Sequence, residues 1–307
     1  MPLNPLERLR RAVVGRTVGL FAHAADPMAD TMDYAGDPGL FGPGSISWEV
    51  IADVSGFMGG IRALLIQAAH PEVVAGVADH SRYRDDPLGR LSRTSAYVTA
   101  TTYGAMPEVD AAVAIVRKAH RRVHGVSHRG IPYDADDPPL AAWVHNSLTD
   151  SFLTCHRIYG ARRLTTAEAD EFVREQARIG RLLEADPLPE TAAELSAWVA
   201  EHPSLGPSPG MRDAVEFLRD PPLDPAVKVG YQVLEAAAVT TLPAQVRGAL
   251  GLRPRPGAAY VGHAAMGAMR WAMGSSPAWR TALVRVGAPV EEGRFKQKGP
   301  RGEQEAA

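Results

Sequence analysis

The stretch WEVIADVSGFMGGIRALLIQAAHPEVV, residues 48–74, decides the fold class. Its apolar positions recur every three or four residues, the spacing of one helix face rather than the alternation of a strand. Gly56, Gly59 and Gly60 stand in its middle, each costing about 1 kcal/mol relative to alanine in a helix. Such glycines serve either close helix–helix packing or close approach to a flat ligand, and packing is the expected role. His70-Pro71 is expected to break or kink the segment, because Pro71 has no backbone donor.

Working outward, the same periodicity predicts helices over Leu91–Tyr103 and Glu108–Val123, the second carrying Val113, Val116, Ala119, His120 and Val123 on one face. A loop rich in Gly, Pro and Asp follows over 125–139, and Pro138 and Pro139 suit the first turn of a helix that runs to about Tyr159. Thr165 with Glu168, and Thr191 with Glu194, are capping boxes that open a helix to about Glu184 and then a shorter one. After loops at 203–210 and 220–225, Val227–Ala238 and Ala258–Met273 read as strongly apolar helices. There is no internal repeat and no convincing strand pattern. The expectation is an all-α protein with a single large helical domain over residues 41–290. It would follow an N-terminal helical extension, 1–40, and precede a charged tail, 291–307, predicted to be disordered.

Composition narrows the function classes. The chain has 307 residues, 45% hydrophobic and 22% charged, which is ordinary for a globular protein with a sizeable core. Thirty-three basic against thirty-five acidic side chains give a net charge of −2, which argues against bulk electrostatic binding of nucleic acid. Cys155 is the single cysteine, so an intramolecular disulfide and four-cysteine metal sites are excluded. The apolar stretch 12–25 is too short to cross a bilayer and lacks a signal-peptide pattern, so a cytoplasmic location is expected. Contact with a membrane surface is compatible with this pattern.

Histidine is the informative residue type: five of the ten fall between His120 and His156. His120, His124 and His128 are spaced by four, placing the first two on one helix face. His145 and His156 are eleven apart, again one face. A helical histidine can ligate zinc, non-heme iron or heme iron through one ring nitrogen, although most such histidines are hydrogen-bonded core or surface residues. Zinc-protease, nucleophile-elbow, phosphate-loop and dinucleotide fingerprints are all missing. The turn 41–45 could receive an anion but reads more simply as a sharp turn before a capped helix, and Cys155 reads as a buried small hydrophobe. Arg90, Arg93 and Thr94 share a helix face. A solvated basic face explains them, and so would a heme pocket in which arginine pairs with propionate, polar groups meet oxygen and histidine takes the iron.

Six blocks in order make the sequence resemble a known family. They are Phe41-Gly42-Pro43-Gly44-Ser45, Gln67-Ala68-Ala69-His70-Pro71, Gly76-Val77-Ala78-Asp79-His80-Ser81, the run Asp86 to Thr94, Val116-Arg117-Lys118-Ala119-His120 and Trp143-Val144-His145. Over roughly residues 42–252 the chain resembles the catalytic domain shared by rubber oxygenases (latex-clearing proteins) and MpaB-type oxygenases. The resemblance implies an all-helical domain with a globin-like core, and heme b with its iron. Carried over residue by residue, it implies His120 as axial ligand, with His124 and His145 as alternatives. It further implies Arg90, Arg117 and His120 in cofactor binding, and Arg93 and Thr94 in catalysis. Arg93 stands where the rubber-cleaving members carry a distal lysine, and a guanidinium donates hydrogen bonds rather than ligating iron. Their upstream catalytic glutamate has no direct counterpart, with Glu72 as a shifted substitute. These relatives are secreted, and no export signal is read here.

The expected activity is therefore a heme-dependent oxygenase that uses dioxygen on a hydrophobic, unsaturated isoprenoid or lipid-like small molecule, with Phe57, Met58, Phe152 and Tyr159 as an apolar wall. The expected partners exclude nucleic acid. Two other classes stay open at this point: a non-catalytic heme-binding sensor or carrier, and a helical ligand-binding protein without heme. A metal-dependent hydrolase built on His70, His80 and nearby aspartates is a weaker fourth.

Overall fold

A computed structural model describes residues 4–290, and the charged tail predicted to be disordered lies outside the described residues. The architecture is all-α. In chain order the helices are α1 (Pro5–Gly19), α2 (Ile46–Ala52), α3 (Ser55–Ala68), α4 (Pro71–His80), α5 (Pro87–Tyr103), α6 (Met106–His120), α7 (Pro138–Tyr159), α8 (Thr166–Leu182), α9 (Ala192–Ala200), α10 (Pro209–Arg219), α11 (Pro225–Thr241), α12 (Ala244–Ala249), α13 (Ala258–Met273) and α14 (Pro277–Arg285). A small antiparallel hairpin, β1 (His124–Val126) and β2 (Pro132–Asp134), separates α6 from α7, with Gly125 opposite Tyr133.

Local chemistry sets the boundaries. Many helices carry proline in their first turn and a capping side chain just before it: Asp86, Ser208 and Asp224 accept from Gly89, Met211 and Ala226 N–H. Both predicted capping boxes form, at Thr165/Glu168 and Thr191/Glu194. The 48–74 stretch divides as expected before Pro71, and also at Asp53, whose carboxylate accepts from Ser55 N–H and ends the α2 register. Two expectations need correction. The helix predicted to Val123 stops at His120, and the predicted loop 125–139 contains the hairpin. Ser127 and Arg129 at the hairpin turn bond to Glu72, and Tyr133 donates to Asp79 at 2.5 Å. A segment too short to alternate visibly is thus held as a hairpin by tertiary contacts.

The core is organised around α3, which packs antiparallel along α7 and also meets α10 and α11. Gly59 permits the close approach: a Cβ there would lie 2.7 Å from the Phe152 ring and 3.3 Å from Ser151 O. Gly60 has open space around it, so the packing role belongs to Gly59 alone of that adjacent pair. One turn further on, Arg62 donates to Asp150 at 2.6 Å and to Ser151 at 2.9 Å, both partners of the ion pair being almost fully buried. Met58, Phe152 and Tyr159, expected to line a substrate wall, are instead buried in this core, while Phe57 packs on Phe21. Phe152 is itself part of the α3–α7 seam, against Gly59.

Removing one partner of a buried ion pair strands the other charge, at about 3–5 kcal/mol. Asp150→Ala is expected to destabilise by that amount in urea denaturation. The double variant Arg62→Met/Asp150→Leu should recover most of the loss, whereas equal stability of Asp150→Ala and wild type would show that this pair does not hold the seam.

Candidate active site

α5 and α6 form an αα-hairpin joined only by Gly104 and Ala105, so the start of α5 and the end of α6 lie at one end. Arg90 precedes that turn, and His120 follows it, by roughly 20 Å of helix each. The expected residues from both helices are thereby brought to the same end of the hairpin.

His120 is the last residue of α6 and is partly buried. Its Nδ1 lies 3.8 Å from Asp136 Oδ1, and its Nε2 has no partner among the described residues. Burial lowers its pKa below the usual histidine value, opposed by Asp136 and Asp134. The Asp136 carboxylate stands on the Nδ1 side of the ring, beyond hydrogen-bond distance.

Arg90 donates to Ser81 Oγ at 3.1 Å and its guanidinium stands 5.9 Å from the centre of the Tyr83 ring. Burial lowers its pKa, and no carboxylate pairs with it among the described residues. Thr94 is exposed and its hydroxyl donates back to the Arg90 carbonyl at 3.0 Å. Arg93 is exposed and paired with Asp86, the cap of its own helix, at 3.1 Å. Arg117 reaches away to the end of α8, donating to Leu182 O at 2.7 Å and pairing with Glu184 at 2.9 Å.

The alternative histidines differ in setting. His124 lies outside the helix, exposed on β1, which corrects the expected shared helix face with His120; its carbonyl contacts His80 Nε2 at 3.1 Å. His145 packs from α7 onto Gly180 of α8, where a Cβ would come 3.0 Å from the ring. Burial pushes its pKa down to about 4, against a backbone hydrogen bond with Gln176. Glu72 accepts from Arg129 and Ser127 and is buried, its carboxyl held below the usual range by those partners despite burial. It anchors the hairpin to α4 and is not free to act as a base. His70 and His80 sit at opposite ends of α4, and no group of three His, Cys, Asp or Glu stands close enough for a metal among the described residues, so the hydrolase arrangement is not built.

His70, read from the sequence as a helix break and a candidate metal ligand, is a second buried polar group, and its aromatic surroundings were not foreseen. His70 stacks near Trp143 and His202, with ring centres 5.5 and 5.3 Å away. Its Nδ1 is 3.4 Å from Glu72 but lacks hydrogen-bond geometry. Its pKa is pushed to about 4, chiefly by burial and then by His202. The available signal was His70 immediately before Pro71, where a histidine ends one helix and begins the next.

The family described as ER-bound oxygenase mpaB/B'/Rubber oxygenase, catalytic domain, matches residues 48–271, most of the chain, and the chain belongs to that family. No curated protein and no solved structure matches it. The match makes this domain an oxygenase catalytic domain. No helix among the described residues is long and apolar enough to cross a membrane.

The buried histidines set a pH dependence of stability. The unfolded chain takes up protons at His70 and His145 near pH 6.5, whereas the folded chain resists until about 4. Between these values the unfolded state binds more protons, so stability falls as pH falls. Urea denaturation in steps across that window should show the decline, with a shallower slope in His70→Gln/His145→Gln; equal slopes would contradict the assignment.

Proposed function

From membership of this oxygenase family, we propose that the domain holds one heme b, with His120 as the protein ligand to iron, and oxidises a hydrophobic, unsaturated substrate. Arg90 is the observation that carries the reading. This partly buried guanidinium contacts a hydroxyl and a ring, and its remaining donors would pair with a carboxylate from a bound group. It lies at the same end of the α5–α6 hairpin as the His120 imidazole, whose Nε2 has no partner among the described residues. A heme propionate and a heme iron would satisfy these two groups together. The residues fit the group.

Bound heme supplies dioxygen activation, and the chain's own residues do the rest. Asp136, 3.8 Å from Nδ1, would orient His120 on closing to hydrogen-bond distance and leave Nε2 as the ligating atom. Arg117, fastened to the end of α8, fixes the last turn of α6 and so positions His120. On α5, Thr94 and Arg93 would be the donors to an oxygen-bearing group; at rest the hydroxyl bonds Arg90 O and the guanidinium pairs with Asp86. Arg93 stays protonated, so it donates and does not ligate.

The substrate class in this proposal comes from the family, and exposed apolar side chains near α4 and α7 are compatible with it. The α5–α6 hairpin contacts α3, α4 and α7 only sparsely. Val144 is exposed on α7 although Trp143 and Asn146 beside it are buried, and Val77 and Leu148 are partly exposed.

Protein expressed with a heme precursor should show a Soret band and about one iron per chain, lost in His120→Ala. Arg90→Ala should retain heme on the order of ten- to a hundredfold more weakly, from loss of one charge-assisted contact of about 1.5–3 kcal/mol. Thr94→Ala should keep the heme and slow oxygen uptake with unsaturated lipids. Equal heme content and an identical Soret band in wild type and His120→Ala would overturn the ligand assignment.

A further inference from the structure

Acidic residues are missing from two stretches. No Asp or Glu occurs over 8–25 or over 236–290, in a chain that holds thirty-five of them and carries a net charge of −2. The fold brings these stretches together: α1 packs along α13, with Arg10 Nε donating to Ala272 O at 2.9 Å, and α13 also packs on α11.

α13 buries Ala258, Gly262, Met266 and Ala272 and leaves Tyr260, Ala264, Ala268 and Trp271 exposed. Spacings of four, four and three residues align these on one face over about 16 Å. Tyr260 is 83% and Trp271 51% exposed, with only small side chains between them. Val261, next to Tyr260 in α13, is exposed too, and α1 and α11, which pack on α13, each expose a valine, Val18 and Val229. Arg8, Arg16 and Arg253 are exposed and have no carboxylate partner among the described residues.

An exposed apolar and aromatic face that is also free of acids calls for a partner both apolar and negatively charged. A bilayer interface with anionic headgroups is that partner: Tyr and Trp rings settle at headgroup depth, and arginines meet the negative surface. A second copy related by a twofold axis would set the same arginines against each other, which repels. We propose that the α1–α13 face docks on anionic lipid bilayers, with Tyr260 and Trp271 entering the interface and Arg8, Arg16 and Arg253 contacting headgroups. The docking needs no membrane-crossing helix and rests on no part of the heme assignment.

Co-sedimentation of the whole chain tests it, using phosphatidylcholine vesicles with and without about one-third phosphatidylserine. The protein should bind the mixed vesicles at low salt and leave the neutral ones. Arg8→Glu/Arg16→Glu/Arg253→Glu should weaken binding more than about tenfold. Tyr260→Ser/Trp271→Ser should also weaken it, with helical circular dichroism and thermal midpoint unchanged in both variants. Failure to bind mixed vesicles would overturn the proposal, as would binding indifferent to the aromatic pair. A dimer in analytical ultracentrifugation that Tyr260→Ser/Trp271→Ser dissolves would assign the face to a second copy instead. Capture of an acidic protein with no vesicle binding would assign it to a protein partner.

Discussion

The buried Arg62–Asp150 pair is the constraint on which the remaining geometry depends. It fixes the register of α3 against α7, where Gly59 lets the backbones approach and the Arg62 guanidinium also contacts Ser151 and Thr241 O. α3 leads directly into His70 and α4, and Glu72 at the head of α4 holds Ser127 and Arg129 of the hairpin. That hairpin begins four residues after His120. The position of the candidate iron ligand is thus traceable, contact by contact, to one ion pair in the core.

Several other buried charges are paired as well. Asp53 accepts from Arg270 through both oxygens and from Ala161 N–H, tying the α2–α3 corner to α13 and the end of α7. Arg162 lies between Glu49 and Glu168. Arg285 reaches Thr31 and Glu108. Arg90 differs from these: it is partly buried, and no carboxylate pairs with it among the described residues. An unmet charge of this kind marks a place for a ligand more than a place for stability.

The fold class was legible because long amphipathic helices with capping boxes and proline starts announce themselves, as Thr165–Glu168 and the Ala258–Met273 run did. The β1–β2 hairpin was not, because three-residue strands carry no period; its cause is the distant Glu72 and Asp79. The Arg62–Asp150 pair left one trace, an arginine set in an otherwise apolar helix, but its partner 88 residues away could not be read from that. Arg90, Thr94 and His120 were found through the ordered blocks of the family. Nothing in their local sequence shows that Arg90 lacks a counter-charge, or that Arg117 turns to Leu182 and Arg93 to Asp86.

Imidazole rescue of a cavity variant tests the central claim most directly. His120→Gly removes the proposed ligand and leaves space for the free ring in its place. If His120 holds the iron, the variant should lose the histidine-ligated heme spectrum and regain it when imidazole is added, with Asp136 still present to orient the added ring. A His120→Gly protein that keeps the wild-type spectrum without imidazole would contradict the account.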